Sequence, residues 1–386
     1  MPRIFRRLIP IVAATILVVS ILALFTTSQA SESGIAMRIL PDANSWLAKN
    51  QLVDYYARNS YNAGHANNAS SQSSALNSID TVQVLQALQD DQPQDKRTTA
   101  ISTLTQAPPA IIPVLVDALS HSNAGVRRGA AEVLGARRAI EAENSLFFAT
   151  FDAHPGVRIA AIRALGGLGA IYALPRLQWL QVADDDPNVQ LAAHLSENQI
   201  YWRVAATLNV SPGDLHAIAI SSVKEQVYAA TKSELYVLQG VRWKRVGPLP
   251  DIPTTLAVVG NDGRILYLGT ASYGMFRSVD AGQTWHSISE SLTFAQSFAV
   301  TALAINPENE QQLFIALATN TTKHSQMTFG VYSSLDGGDT WFPLGQSNVD
   351  SLTTRLVVDS TPPARLLGLT DKGVWQYLLA NPKREP

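Results

Sequence analysis

The side chains in this sequence that invite a chemical reading are carboxylates and arginines. Cleaving a glycosidic bond needs two carboxyl groups at a suitable spacing, or a Tyr nucleophile assisted by a carboxylate, and Arg residues hold an anionic sugar well. The C-terminal half offers Asp280 and Asp336, with Arg242, Arg245, Arg264, Arg277, Arg355 and Arg365 in the same region. Both Asp residues lie in an octapeptide that occurs twice, Ser278-Val279-Asp280-Ala281-Gly282-Gln283-Thr284-Trp285 and Ser334-Leu335-Asp336-Gly337-Gly338-Asp339-Thr340-Trp341. Its S-x-D-x-G-x-T-W spacing specifies a hairpin turn. A short carboxylate accepts hydrogen bonds from backbone N–H groups two or three residues ahead, and Gly282 and Gly338 supply the positive φ that such a turn needs. Ser278, Thr284, Ser334 and Thr340 can tie the two arms together, while Trp285 and Trp341 return an apolar body to the sheet. A structural role therefore accounts for the octapeptides before catalysis does. Arg277 immediately precedes the first of them on a strand, where a solvated or packing role is expected.

Other constellations are sparse. The seven His residues, at 65, 121, 154, 194, 216, 286 and 324, show no metal-ligand spacing. His121 and His154 read as loop caps at equivalent positions of successive repeats. Asp184-Asp185-Asp186 before Pro187 reads as a solvated, helix-capping loop rather than a cation site. No phosphate-cradling motif occurs, and Gly166-Gly167-Leu168-Gly169 reads as a helix end. With no Cys in 386 residues, disulfides, a thiolate nucleophile and cysteine-ligated metals are excluded. A net charge of -2 gives no support for nucleic-acid binding. No cofactor is implied.

The elements that carry the octapeptides repeat as well. Paired apolar runs recur at Val227–Thr231 with Leu235–Leu238, Ile265–Thr270 with Gly274–Ser278, Leu313–Leu317 with Gly330–Ser333, and Leu366–Thr370 with Gly373–Tyr377. Another apolar run precedes each pair. The steps from Tyr228 to Tyr267, Phe314 and Leu367 are 39, 47 and 53 residues. Several strands per unit at such periods predict the blades of a β-propeller, with about four units in residues 209–380. Trp243 keeps the Trp of the first unit without its Asp, and the fourth unit ends before an octapeptide forms. Four blades could close as a ring, stand as an open arc, or be completed by a second chain. An open arc needs cover at its edges, which the helical part of the chain could provide.

The octapeptides resemble the Asp-box, or BNR repeat, of sialidases and other β-propellers. The resemblance implies markers of blade geometry on the rim, away from that family's active sites. None of the Arg residues above stands in the family's F/Y-R-I-P context. Residues Leu215 to Tyr377 also resemble the photosystem II assembly factors, exported propellers that escort membrane-protein subunits, although these have about seven blades and no helical repeats.

Residues 80–208 carry a second repeat. Asn123-Ala124-Gly125-Val126-Arg127-Arg128 aligns with His154-Pro155-Gly156-Val157-Arg158, with Asp186-Pro187-Asn188-Val189, and more weakly with Gln94-Asp95-Lys96-Arg97. The anchors Lys96, Val126, Val157 and Val189 are 30, 31 and 32 residues apart. Each unit reads as a polar loop, a first helix with small Ala positions and a second apolar helix, the last falling at Ile111–Leu119, Asn144–Phe151 and Leu174–Val182. Small residues let paired helices approach closely. The pattern resembles short HEAT-like repeats of the phycobilisome-lyase type and implies an α-solenoid. The Arg residues after each Val are expected to reach a carboxylate or helix end in the adjacent repeat. The alternative is a basic interaction surface built from Arg127, Arg128, Arg158 and Arg163, together with Arg137 and Arg138.

The N-terminus speaks to compartment. Arg3, Arg6 and Arg7 precede an uncharged stretch, Leu8 to Ser31, whose apolar heart is Ile9 to Phe25 and which ends near Ser28-Gln29-Ala30. Residues 1–30 therefore read as an export signal, cleaved after Ala30 or retained as a membrane anchor. Within residues 31–79, Asp42 to Tyr56 has the apolar spacing of a short helix, and the Asn-, Ser- and Ala-rich stretch after it reads as a flexible linker. Residues 381–386 form a tail. The expected fold is thus multidomain α and β, an N-terminal α-α solenoid followed by an all-β propeller-like domain. The expected function is that of an extracytoplasmic, non-catalytic interaction or scaffold protein with a protein partner, secreted, periplasmic or anchored to the membrane by its N-terminal segment, with assembly of envelope or membrane complexes as one such role. A sialidase-like hydrolase or glycan-binding propeller is the rival class.

Overall fold

The computed structural model describes residues 81–221, 226–260, 262–292, 294, 297–319, 327–345 and 351–379. The export segment, the helix expected at Asp42 to Tyr56 and the linker lie outside the described residues. Among the described residues, no helix is long and apolar enough to cross a membrane.

Among the described residues, eight α-helices come first: α1 (Thr81–Gln86), α2 (Gln94–Gln106), α3 (Ile111–Ala118), α4 (Ala124–Ala136), α5 (Glu143–Ala149), α6 (Pro155–Leu168), α7 (Leu174–Ala183) and α8 (Pro187–Leu208). The first helices of the units, α2, α4, α6 and α8, pack side by side in sequence, and α3, α5 and α7 pack against α4, α6 and α8 in turn. Side-chain size explains how close the first helices come. A Cβ on Gly135 would collide with Ala164, and one on Gly166 with Ser196, so α4, α6 and α8 approach where the sequence places its smallest residues. Val126, Val157 and Val189 are each wholly buried at the same place in their helices, filling the seam between units.

Fifteen strands follow among the described residues, in four antiparallel sheets ordered β1-β2-β3-β4, β5-β6-β7-β8, β9-β10-β11-β12 and β13-β14-β15. Their ranges are Leu215–Ile220, Val227–Thr231, Glu234–Gln239, Arg242–Pro248; Pro253–Val259, Ile265–Thr270, Met275–Ser278, His286–Ser287; Phe298–Asn306, Asn309–Thr319, Thr328–Ser334, Phe342–Pro343; Thr353–Asp359, Arg365–Thr370 and Gly373–Leu378. The four sheets share two features that their loosely spaced sequences conceal. Each first strand carries a bulge near its start, at residues 216, 254, 301 and 354, which twists the strand locally. Each second strand ends on a buried Thr, at 231, 270, 319 and 370, whose hydroxyl bonds the backbone of the turn into the third strand.

The first strands meet in series, β1 with β5, β5 with β9 and β9 with β13. At the two ends of this propeller-like series stand helices: α8 contacts β1, and α7 contacts β13 and β14. The helical core runs on into the first sheet, where Leu215, Ile218, Val227 and Ala229 are buried with the helices and Trp243 packs against them. Trp243 Nε1 donates to Thr207 Oγ1 of α8 at 2.9 Å. The Trp without an octapeptide thus serves the helical junction instead of a neighbouring sheet.

Candidate functional site

Two groups of polar side chains singled out in the sequence, the octapeptide carboxylates and the helical Arg residues, and a third around Glu197 each have a set of partners in the structure. The two octapeptides form hairpin tips between β7 and β8 and between β11 and β12. Asp280 Oδ1 accepts from Gln283 N at 3.0 Å, Thr284 N at 2.9 Å and Ser278 Oγ at 2.7 Å, and its Oδ2 accepts from Thr284 Oγ1 at 2.6 Å. Asp336 repeats the pattern with Thr340 N at 2.9 Å, Ser334 Oγ at 2.7 Å and the Thr340 hydroxyl. Ser278 and Ser334 are wholly buried, and their hydroxyls accept from Gly282 N and Gly338 N, both at 2.8 Å.

These bonds set the acidity of both carboxyls. Burial raises the Asp280 pKa, but bonds from Thr284, Ser278 and Gln283 outweigh it and hold the group at about 2. For Asp336 the Thr340 hydroxyl is the largest influence, followed by the Thr340 N–H, and the result is again about 2. Hydrogen bonds donated to the charged form favour it. A carboxyl at that pKa is ionised and a poor general acid near neutral pH.

The hairpins also tie each sheet to the one before it. A Cβ on Gly282 would collide with Leu235 of β3, and one on Gly338 with Ile288, just beyond β8. Trp341 Nε1 donates to Ile288 O at 2.8 Å. Arg277, on β7, donates to Gly337 O at 3.1 Å and pairs with Asp339 at 2.9 Å. It therefore grips the tip of the next hairpin, a role across sheets that its place in the sequence did not reveal.

In the helical region, the Arg residues form a ladder. Arg127 is bidentate to Asp152, at 2.6 and 2.8 Å, and Arg158 is bidentate to Asp184, at 2.9 and 2.7 Å. Each also donates to the loop before its own helix, Arg127 to His121 O at 2.8 Å and Arg158 to Asp152 O at 2.9 Å. Gln190 takes the same place in α8 and donates to Asp184 O at 2.7 Å, with a side chain that needs no carboxylate in a further repeat. Arg128 pairs with Asp90 at 2.9 Å, whereas Arg163 is exposed on α6. Carboxylates in the neighbouring repeat thus neutralise Arg127, Arg128 and Arg158, which leaves little of the basic face that the four residues would form together.

The alignment corrects two sequence expectations. His121 is the counterpart of Asp152 and Asp184, not of His154. His121, Asp152 and Asp184 accept the backbone N–H of Asn123, His154 and Asp186, two residues on, at 3.0, 2.8 and 3.0 Å. Asn123, His154 and Asp186 are in turn the N-caps of α4, α6 and α8. Asp184, moreover, is buried rather than solvated.

The third group was not anticipated. Glu197, in the middle of α8, is 5% exposed and lies where helices meet sheets. Its carboxylate accepts from Gln178 and Gln181 of α7 at 2.9 and 2.7 Å, and from Arg355 of β13 at 2.9 Å. One turn further along α8, Tyr201 accepts from Ile218 N of β1 at 3.2 Å. Burial, reinforced by Glu197, pushes the Tyr201 hydroxyl pKa well above its ordinary value. A carboxylate four residues after the buried Ala193 and three before the buried Ile200 was the available signal, since a charge on an apolar helix stripe needs a partner. Its partner lies 158 residues away in sequence. Among the described residues, no group of three or more His, Asp or Glu could hold a metal ion.

Residues 81–148 match the family model of HEAT repeats. No curated protein matches the chain. Among solved structures, the GH74 xyloglucanase from Xanthomonas campestris is 19% identical with a TM-score of 0.33, covering 43% of this chain and 29% of that one. YCF48 from Cyanidioschyzon merolae is 14% identical with a TM-score of 0.32, covering 42% of this chain and 50% of that one. The computationally designed Ika4 protein is 15% identical with a TM-score of 0.29, covering 43% and 91%. The chain thus spans half or less of the two natural proteins. Its helices are similar to HEAT repeats over residues 81–148, and four propeller-like sheets follow them.

Proposed function

We propose that this protein is a non-catalytic interaction scaffold, exported or held at the membrane by its N-terminal segment, that binds a protein partner of the envelope or membrane. The observation that carries the reading is the ion pair between buried Glu197 and half-buried Arg355, which fastens the helical array to the last sheet. Two repeat arrays fixed in this way offer one continuous surface, and repeat surfaces suit extended contact with another protein. The octapeptide hairpins fit this reading as Asp-boxes, whose carboxylates hold turns. Export rests on Arg3, Arg6 and Arg7 ahead of the apolar run Ile9 to Phe25.

Affinity capture of the full chain from solubilised membranes tests the proposal. A specific envelope or membrane protein is expected to co-purify, and Arg355→Glu, which sets two carboxylates against each other at the junction, is expected to weaken its capture. Hydrolysis of a fluorogenic sialoside by the full chain, abolished by Arg264→Ala, would overturn the scaffold reading in favour of a glycosidase.

A further inference from the structure

The outer edges of the four sheets are built differently. The first ends on β4, which carries Arg242, Lys244, Arg245 and Pro248, and the second and third end on two-residue strands, His286–Ser287 and Phe342–Pro343. Charge, Pro and brevity are the devices that keep an edge from pairing with another chain. Among the described residues, the fourth sheet has three strands and no strand pairs with the outer side of β15 (Gly-Val-Trp-Gln-Tyr-Leu), which is six residues long with no charged residue and no Pro. Val374, Tyr377 and Leu378 on it are 43, 42 and 62% exposed.

The backbone of β15 has a defined outward set. Leu379 N donates to Ala364 O of the neighbouring segment at 2.9 Å. By antiparallel alternation, residues 373, 375 and 377 turn their backbone groups toward β14, and Val374, Gln376 and Leu378 turn theirs to the open edge. That outward set is self-complementary. Two copies of β15 run antiparallel about a two-fold axis at Gln376 place Val374 of one opposite Leu378 of the other, and Gln376 opposite Gln376. On the other face the same register sets Trp375 opposite Tyr377.

We propose that β15 is a homodimer edge, through which two copies of this chain join their fourth sheets into one six-stranded sheet. The pairing is isologous, so it satisfies both open edges at once and closes without further addition. Cross-strand apolar pairs and backbone bonds supply the affinity. Arg365 shares a face with Leu378 through its pairing on β14 and would approach the axis, but Asp359 holds it at 3.0 Å, so unpaired like charges do not meet there.

A chain without Cys makes the register directly testable in the full-length protein. Oxidation of Gln376→Cys is expected to give disulfide-linked dimers. Val374→Cys and Leu378→Cys are each expected to form no disulfide-linked dimer when oxidised alone and to cross-link when mixed. Light scattering is expected to show a dimer for the parent and a monomer for Gln376→Lys with unchanged circular dichroism. A monomeric parent at tens of micromolar, a dimer that persists in folded Gln376→Lys, or equal cross-linking of all three single-Cys proteins would overturn the proposal.

Discussion

The two octapeptide hairpins are close to the same object built twice, and their differences show which parts of the pattern bear weight. The bonds among Ser, Asp, Gly and Thr are the same in both, and Asp280 also accepts from Gln283 N at 3.0 Å. The tips differ. Ala281 adopts φ 65°, where the second hairpin has Gly337 at φ 72°. The Trp environments differ as well. Trp341 is 5% exposed and donates to Ile288 O, whereas Trp285 is half-buried and its buried Nε1 has no partner among the described atoms. The hydrogen-bonded ring is therefore the invariant part, and the fit against the preceding sheet is the variable part.

The largest break in the comparison is expected at the Trp residues. Trp341→Ala should cost about 4 kcal/mol, in the range for emptying a buried aromatic site, and Trp285→Ala clearly less. Equilibrium urea unfolding of the two variants measures the difference, and equal losses would show that burial against the preceding sheet is not what separates the hairpins. Asp280→Ala and Asp336→Ala come next, each expected to cost about 2 kcal/mol, because each leaves several turn donors without an acceptor. Here the two hairpins should behave alike.

A pH titration tests the same bonds without mutation. Both carboxyls sit at about 2 in the folded protein, against about 3.9 in an unfolded chain. A depressed carboxyl pKa gives stability that is full above the unfolded value and is lost as pH falls through the folded one. Each Asp should thus contribute on the order of 1–2 kcal/mol near neutral pH, after allowance for solvent screening, and lose it between about pH 4 and pH 2. Asp280→Asn should flatten its share of that acid limb in thermal unfolding.

The smallest effects fall at the tips and should have opposite signs. Ala281→Gly relieves a positive φ and is expected to stabilise by about 0.5–1 kcal/mol. Gly337→Ala introduces that strain and brings a Cβ against the Gln311 side chain, so a loss of about 1 kcal/mol or more is expected. Thermal melts that moved in the same direction would show that backbone strain does not distinguish the tips.

Much of this was legible in the sequence, for reasons particular to each element. The octapeptide bonds were readable because donor and acceptor lie within six residues, so spacing alone sets the ring. The seams at Val126, Val157 and Val189 were readable because a repeat presents the same contact each time. The Arg ladder was legible in kind but not in its partners: Arg127 reaches 25 residues ahead to Asp152, a distance that only the stacking of repeats closes. The repeated bulges and the Thr residues that end the second strands are not legible in the sequence, since strand steps of 39, 47 and 53 residues blur any alignment.

The sequence by itself determined the local hydrogen-bonded units, the two kinds of repeat and their order along the chain, because each depends on side chains close together in the chain or on a period. The tertiary structure decided how the arrays meet. Glu197 and Arg355 are both unremarkable in sequence, and only the packing of α8 on α7 and of α7 on β13 brings the buried carboxylate to its half-buried partner. The same holds for β15. Its residues read as one more strand, and its character as an uncharged outer edge, unpaired among the described residues, emerges only when its sheet stands beside three others that are blunted.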